Sequence, residues 1–339
     1  MTNDRSRRSP ADTVRELTEA MKASSIVLAL VRVGVADAVD DEPVTAAALA
    51  EKVGADADAL FRLLRASSSL GLFEHVGGGK FVHTPMSRAM RQDAPGNLSS
   101  LLSTSMDWGW TLWGLLGDNV MTGRCAFESH FGMDLFSYFD QHPEVQSLCY
   151  GGVTTWAQMF HARIAETMDL GDAHVIADVG GGNGALLRTV LERNPHLSGI
   201  LFETPITLRT VVPELADGPL ADRCSLVAGD FQQAVTCAAD VYTIKMALHM
   251  WSDDVCVSVL RNCVEAARPG ARVIVLERLM TDQPTPEVAY MDLHMMLVSG
   301  GRERTREEWA ALFERSGLRL SAVTDTSTPF WMIEGVVVG

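Results

Sequence analysis

The stretch HVIADVGGGNGALLRTVLERNP, His174 to Pro195, changes character twice. A nearly continuous apolar run gives way to alternating glycines, and these to ALLRTVLER, whose apolar residues recur at helical spacing. A short apolar run of this kind is a strand buried on both faces, and the amphipathic segment is a helix. Between them Gly180, Gly182 and Gly184 allow a tight turn whose backbone can approach a ligand that side chains would hold away. Strand, glycine turn and helix in this order predict the first unit of a parallel α/β sheet.

The alternation continues downstream. GILFE, SLVAGD, DVYTIKMAL and ARVIVLE read as further strands, DDVCVSVLRNCVEAA as a long helix, and RTREEWAALFERSG as a helix opened by Thr305 and Glu308 in a capping box. LRLSAVTD and FWMIEGVVV add edge strands. Such a doubly wound sheet binds ligands at the carboxyl ends of its strands. Glu203 ends the second strand, where a carboxylate accepts from ribose hydroxyls. Gly229, Asp230 and Phe231 end the third, offering an acceptor for an adenine amino group and a ring to pack on the base. Gly180, Gly182 and Ala185 also fit a dinucleotide pattern, so a nicotinamide enzyme is an alternative on the glycines alone.

Upstream, the first hundred residues read as a small helical module. TAAALAEKVG has Thr45 as N-cap and Gly54 as stop, DADALFRLLRASSSLG places Leu60, Leu63 and Leu64 on one face, and LFEHVGGGKFVHT is a hairpin. Helix, helix and hairpin is the winged-helix order. A groove-reading helix presents a basic face, but here Asp56 and Asp58 cancel Arg62 and Arg65, which argues against DNA binding. Residues 101–170 read as helices rich in aromatic and Met residues, mostly core with a few, such as Trp108, roofing a small-molecule pocket. The expected divisions are a disordered tail over 1–13, the winged-helix module over 14–100, a helical linker and roof over 101–170, and the α/β domain over 171–339.

Composition limits the remaining possibilities. With 339 residues, 47% hydrophobic and 21% charged, the chain is an ordinary globular protein. Its formal net charge of −15 repels polyanions such as nucleic acid. The six cysteines form no CxxC and no zinc-finger spacing, so they read as reduced thiols of a cytoplasmic protein. SSIVLALVRVGVADAV is interrupted by Arg32 and Asp37 and is too short to span a bilayer; it reads as a helix packing on another helix or subunit, with no membrane association.

Taken together, LFRLLRASSSLGLFE, DVGGGNGALL, GDF, KMALHMW, RPGARVIVLER and SGGRERTREEW resemble the caffeic acid O-methyltransferase-like family, especially its bacterial antibiotic-tailoring branch, from about residue 14 to the C-terminus. The resemblance implies an α/β class I S-adenosylmethionine (SAM) methyltransferase, with a Rossmann-like doubly wound sheet and an N-terminal all-helical winged-helix dimerisation domain that makes a homodimer. It also implies residue roles. Asp178 with Gly180 and Gly182 would hold the methionine part of SAM, Glu203 the ribose, Gly229, Asp230 and Phe231 the adenine, and Lys245 would lie alongside the cofactor. His249 falls at the place of the catalytic histidine, and Glu277 and Glu303 at the places of two acidic residues that orient it. A phenol with pKa near 10 is about one part in a thousand ionised at neutral pH, so a base taking its proton contributes up to ~4 kcal/mol.

The sequence also departs from the family. Met250 stands where an acidic or amide residue usually follows the histidine, and ETP replaces the usual Asp-Leu-Pro. Members that have lost methyl transfer share the cofactor motifs, so a non-methylating, SAM-binding enzyme is one alternative. Met246, Asp292 and His294 resemble the phenylpyruvate C-methyltransferase of mannopeptimycin biosynthesis, in which two histidines and an aspartate hold iron. On that second alternative His249 and His294 would be metal ligands, and Arg124 would meet a 2-oxo acid carboxylate. Met250 is a poor ligand for a hard metal. The leading expectation is O-methylation of a small aromatic secondary metabolite with His249 as general base, the pocket drawing on Trp108, Met246, Met250, Asp292 and His294. A winged-helix regulator sensing a small ligand is the reading from another class.

Overall fold

The computed structural model describes residues 9–94, 98–99, 102 and 108–338. Two compact units emerge: Met1–Trp110 with His142–Trp156, and Thr111–Gln141 with Ala157–Gly339. The stretch 101–170 is therefore shared between them, and the helix Pro143–Thr167 spans the boundary between Trp156 and Ala157. Met106 and Asp107, at the start of the aromatic stretch, lie outside the described residues.

The first unit opens with the helix Pro10–Val33, whose N-cap Ser9 accepts from the Asp12 N–H and whose left-handed C-cap is Gly34. Of the tail expected over 1–13, residues 1–8 lie outside the described residues, and residues 10–13 form the first turn of this helix. The helices Ala46–Val53 and Ala57–Ser69 follow, capped by Thr45 and Asp56. Three strands, β1 (Val44–Thr45), β2 (Phe73–Gly77) and β3 (Lys80–His83), form a small antiparallel sheet in the order β1-β3-β2. The unit is thus mainly helical with a three-stranded wing. Leu60 and Leu64, one helical turn apart, bury against Leu49, Phe73 and Phe81, while Leu63 is only partly covered.

The second unit holds β4 (Val175–Val179), β5 (Ser198–Glu203), β6 (Cys224–Ala228), β7 (Val241–Lys245), β8 (Arg272–Glu277), β9 (Leu279–Met280), β10 (Arg304–Thr305), β11 (Leu318–Asp325) and β12 (Trp331–Val337). Seven of them form one sheet in the order β11-β12-β8-β7-β4-β5-β6. Neighbours pair in parallel except β12, which is antiparallel to both β8 and β11. Only β11 of the closing pair is an edge strand; β12 fills the place between it and β8. Along β4, β7 and β8 nearly every residue is buried, the mark of strands covered on both faces.

After β4 the chain winds outward through β5 and β6, then returns to lay β7 on the other side of β4. The order reverses there, and helices leave on opposite faces, so a crevice opens beyond the carboxyl ends of β4 and β7. A separate parallel pair joins β9 to β10, with Arg304 opposite Leu279. No helix among the described residues is long and apolar enough to cross a membrane.

Candidate active site

The expected cofactor residues gather along that crevice. Asp178, near the end of β4, is buried, and its Oδ1 accepts from the Thr243 hydroxyl on β7 at 2.8 Å. Burial pushes its carboxyl up to about 6, against the pull of Thr243 and Lys245. Gly180, Gly182 and Gly184 all take positive φ, so the loop turns where only glycine is unstrained. Glu203, ending β5, accepts from the Gly182 N–H at 3.2 Å and the Thr204 N–H at 2.6 Å, which ties the glycine loop to the next strand. Burial raises this carboxyl too.

Gly229 donates its N–H to the Glu203 carbonyl at 2.9 Å. A Cβ on Gly180 would lie 3.1 Å from the Phe231 ring, so Phe231 closes over the loop. Asp230 is exposed and accepts from the Gln232 N–H at 2.9 Å. Lys245, at the end of β7, sets its ammonium 5.8 Å from the centroid of the Phe330 ring. Burial lowers its pKa while Asp178 and Glu277 oppose the change.

His249 follows directly. Met246 leaves β7 with φ +52°, a left-handed conformation for a side-chain-bearing residue, and the chain turns into the short 3-10 segment Leu248–Met250. Glu277 stands beside this turn because β7 and β8 pair with Lys245 opposite Leu276. Its Oε1 accepts from the N–H groups of Ala247 at 3.0 Å, Leu248 at 3.0 Å and His249 at 3.2 Å. The imidazole Nδ1 lies 2.9 Å from Glu303 Oε1 and 3.5 Å from Glu277 Oε2.

All three side chains are buried. Burial alone would drive the histidine toward neutrality, but Glu277 and Glu303 outweigh it and hold the imidazole pKa above its ordinary value. Burial likewise raises Glu277. Nδ1 is thus committed to carboxylates, and Nε2 is the nitrogen left for a reacting group.

The residues expected to form the pocket are distributed unevenly. Asp292 and His294 share the helix Pro286–Val298, and Asp292 Oδ1 accepts from the Glu303 N–H at 2.8 Å. His294 lies nearly parallel to Trp113, their centroids 6.4 Å apart, and burial pushes it down to about 4, with His249 and Arg278 adding to the effect. Met246 and Met250 are half-buried on either side of the His249 turn. Arg124 is exposed, and Trp108 is buried in the first unit.

Among the described residues, the acidic and histidine side chains that converge closely enough for a metal are His249, Glu277 and Glu303. The pair expected from the iron-binding alternative, His249 and His294, does not form such a group with Asp292, whose oxygen is engaged by the Glu303 backbone. Sequence reasoning missed Trp113, Thr243 and Arg304. Thr243 carried a usable signal, a hydroxyl inside an otherwise apolar strand.

Similarity to known proteins agrees with this arrangement. Residues 113–319 match the model of the O-methyltransferase domain, and residues 15–93 that of the O-methyltransferase dimerisation domain. The 3-amino-4-hydroxybenzoate 4-O-methyltransferase of Streptomyces cremeus is 35% identical over 89% of this chain and 80% of its own. Phenazine O-methyltransferase PhzM of Lysobacter antibioticus is 31% identical over 89% of each chain. The solved structure of the mitomycin 7-O-methyltransferase MmcR superposes with a TM-score of 0.91 at 30% identity, over 97% of this chain and 98% of that one. The chain therefore belongs to the O-methyltransferase family and is a SAM-dependent methyltransferase.

Proposed function

We propose that the enzyme methylates a hydroxyl group of a small aromatic metabolite, with His249 as the general base. The observation that carries this is the buried histidine whose Nδ1 is held at 2.9 Å by Glu303, leaving Nε2 to take a proton. Glu303 fixes the ring's orientation and stabilises the imidazolium once formed; Glu277 fixes the backbone that carries it.

The residues around the glycine loop fit SAM. A Cβ on Gly181 would lie 2.4 Å from Asp178 Oδ2 and 2.7 Å from Leu201, so the loop leaves no room there for a side chain. That Asp178 oxygen is buried without a hydrogen-bond partner among the described residues, an acceptor suited to an ammonium donor. Glu203, Gly229, Asp230 and Phe231 would hold the ribose and adenine, and Lys245 would lie alongside. When bound, SAM supplies an electrophilic methyl group on a sulfonium. The protein aligns the acceptor, excludes water and removes the hydroxyl proton.

The rings near the His249 turn support an aromatic acceptor. Trp113 and His294 present nearly parallel rings, and His294 stays neutral, which suits a flat aromatic acceptor. The relatives named for phenazine and hydroxybenzoate acceptors support the same class. Homodimerisation through the first unit belongs to this reading. Val14, Leu17 and Met21 form a stripe at spacings of three and four on the first helix, each more than half exposed, and the unit matches a dimerisation domain. Six free cysteines suit a reducing cytoplasm.

Five outcomes are expected. H249A lowers turnover of a hydroxyarene panel, read as S-adenosylhomocysteine release, by about 10²- to 10⁴-fold, with calorimetric S-adenosylhomocysteine affinity within about threefold of wild type; near-normal turnover would remove the base role. Because the carboxylates raise His249, its neutral, proton-accepting form accumulates only above the ordinary histidine range, so the acidic limb of kcat/KM lies above about pH 6.5. E303Q removes a negative charge and shifts that limb downward; an unmoved limb counts against the Glu303–His249 coupling. G181A weakens S-adenosylhomocysteine binding at least about tenfold by driving a methyl into Asp178 and Leu201, and unchanged calorimetry would count against the cradle. The double variant L17D/M21D sediments as a monomer where wild type sediments as a dimer; a persistent dimer places the interface elsewhere.

A further inference from the structure

The His249 turn is too short to hold itself. Its internal backbone bonds are Met250 N–H to the Ala247 carbonyl at 3.3 Å and Trp251 N–H to the Leu248 carbonyl at 3.1 Å, and it follows the left-handed Met246. Its N–H groups converge on Glu277. Its carbonyls face the opposite way, toward the segment 301–304. The Arg302 N–H donates to the His249 carbonyl at 2.8 Å. Arg304 donates through Nη1 to the Leu248 carbonyl at 3.2 Å and through Nη2 to the Trp251 carbonyl at 2.7 Å.

Arg304 is itself firmly placed. It is 1% exposed, its guanidinium lies 5.5 Å from the centroid of the Trp309 ring, and its Nε donates to Asp253 Oδ1 at 2.9 Å. The β9–β10 pair sets its register against Leu279, two residues beyond Glu277. Gly301 lets the segment come this close, since a Cβ there would sit 2.0 Å from the His249 carbonyl oxygen.

We infer that Arg304 is a positioning residue for the methyl-transfer reaction: it clamps the carbonyl side of the His249 turn while Glu277 clamps the amide side. The inference rests on His249 as the base. Glu303 and Arg304, adjacent in sequence, then grip one histidine twice, by its ring and by its backbone. Three acceptors at separate angles match the planar fork of a guanidinium, and a lysine ammonium does not reproduce them.

The test is an NMR pH titration of His249 in histidine-labelled full-length protein, assigned with H249N, alongside kcat and KM on the hydroxyarene panel. The ring is faced by Glu277 from β8, Glu303 from the segment before β10, Arg278 after β8 and His294 from its helix. In R304Q the turn relaxes away from both carboxylates, so the His249 midpoint falls by at least about half a pH unit. Loss of the arginine's charge alone would raise it instead. kcat falls at least about 30-fold while KM for SAM stays within about threefold, and R304K recovers less than a tenth of the lost kcat. If R304Q fails to fold, D253N, which loosens only the exposed anchor, is read by kcat, which falls by a smaller factor, because loss of its charge alone would also lower the His249 midpoint. A midpoint that rises or stays, a kcat unchanged in whichever variant folds, or full recovery in R304K overturns the inference. Turnover retained in H249A removes the base reading instead and leaves the titration result standing.

Discussion

One buried carboxylate oxygen, Glu277 Oε1, accepts from three consecutive backbone N–H groups, those of Ala247, Leu248 and His249. Few interactions constrain a turn so tightly, because an anion in low dielectric strengthens every bond it accepts and makes each costly to leave unmade. The arrangement depends on the sheet. Parallel pairing of β7 with β8 brings Glu277 to the point where the chain leaves β7, and the left-handed backbone at Met246 turns the next amides toward it. The geometry of the His249 turn is therefore a consequence of strand register before it is a property of the histidine.

The same carboxylate, with Glu303, sets the electrostatics. An imidazole buried alone would be neutral; two carboxylates within 3.5 Å reverse that preference. His294 is close to a control for the argument. It is also a buried histidine, but burial, with His249 and Arg278 adding to the effect, drives its pKa down. Two histidines on different elements thus take opposite protonation tendencies from their surroundings, and the ring of His294 lies nearly parallel to Trp113.

Much of the fold was legible because it is written in local patterns. Continuous apolar runs identified the buried strands, Thr45 and Thr305 marked helix starts, and the glycines of the first loop occupy positive φ as their spacing implied. Other features were not legible for equally physical reasons. Glu303 is expected near the histidine from the resemblance, but the burial of Arg304 beside it was not legible, because it depends on β10 pairing with β9. On the iron-binding alternative His249 and His294 would share a metal; in the fold the His249 Nδ1 is held by Glu303, and the His294 ring lies nearly parallel to Trp113. The closing strands looked like two edges, but only β11 is one.

The sequence by itself determined which segments are strands and helices, where the glycine loop falls, and which carboxylates and histidine stand at strand ends, since each depends on residues within a turn or two of one another. Tertiary structure alone decided how those groups act. The contact between His249 and Glu303 joins residues 54 apart in the chain, and that between His249 and Glu277 joins residues 28 apart. Desolvation, proton affinity and the clamp on the histidine turn arise only when such segments share one buried volume, and no local pattern encodes that volume.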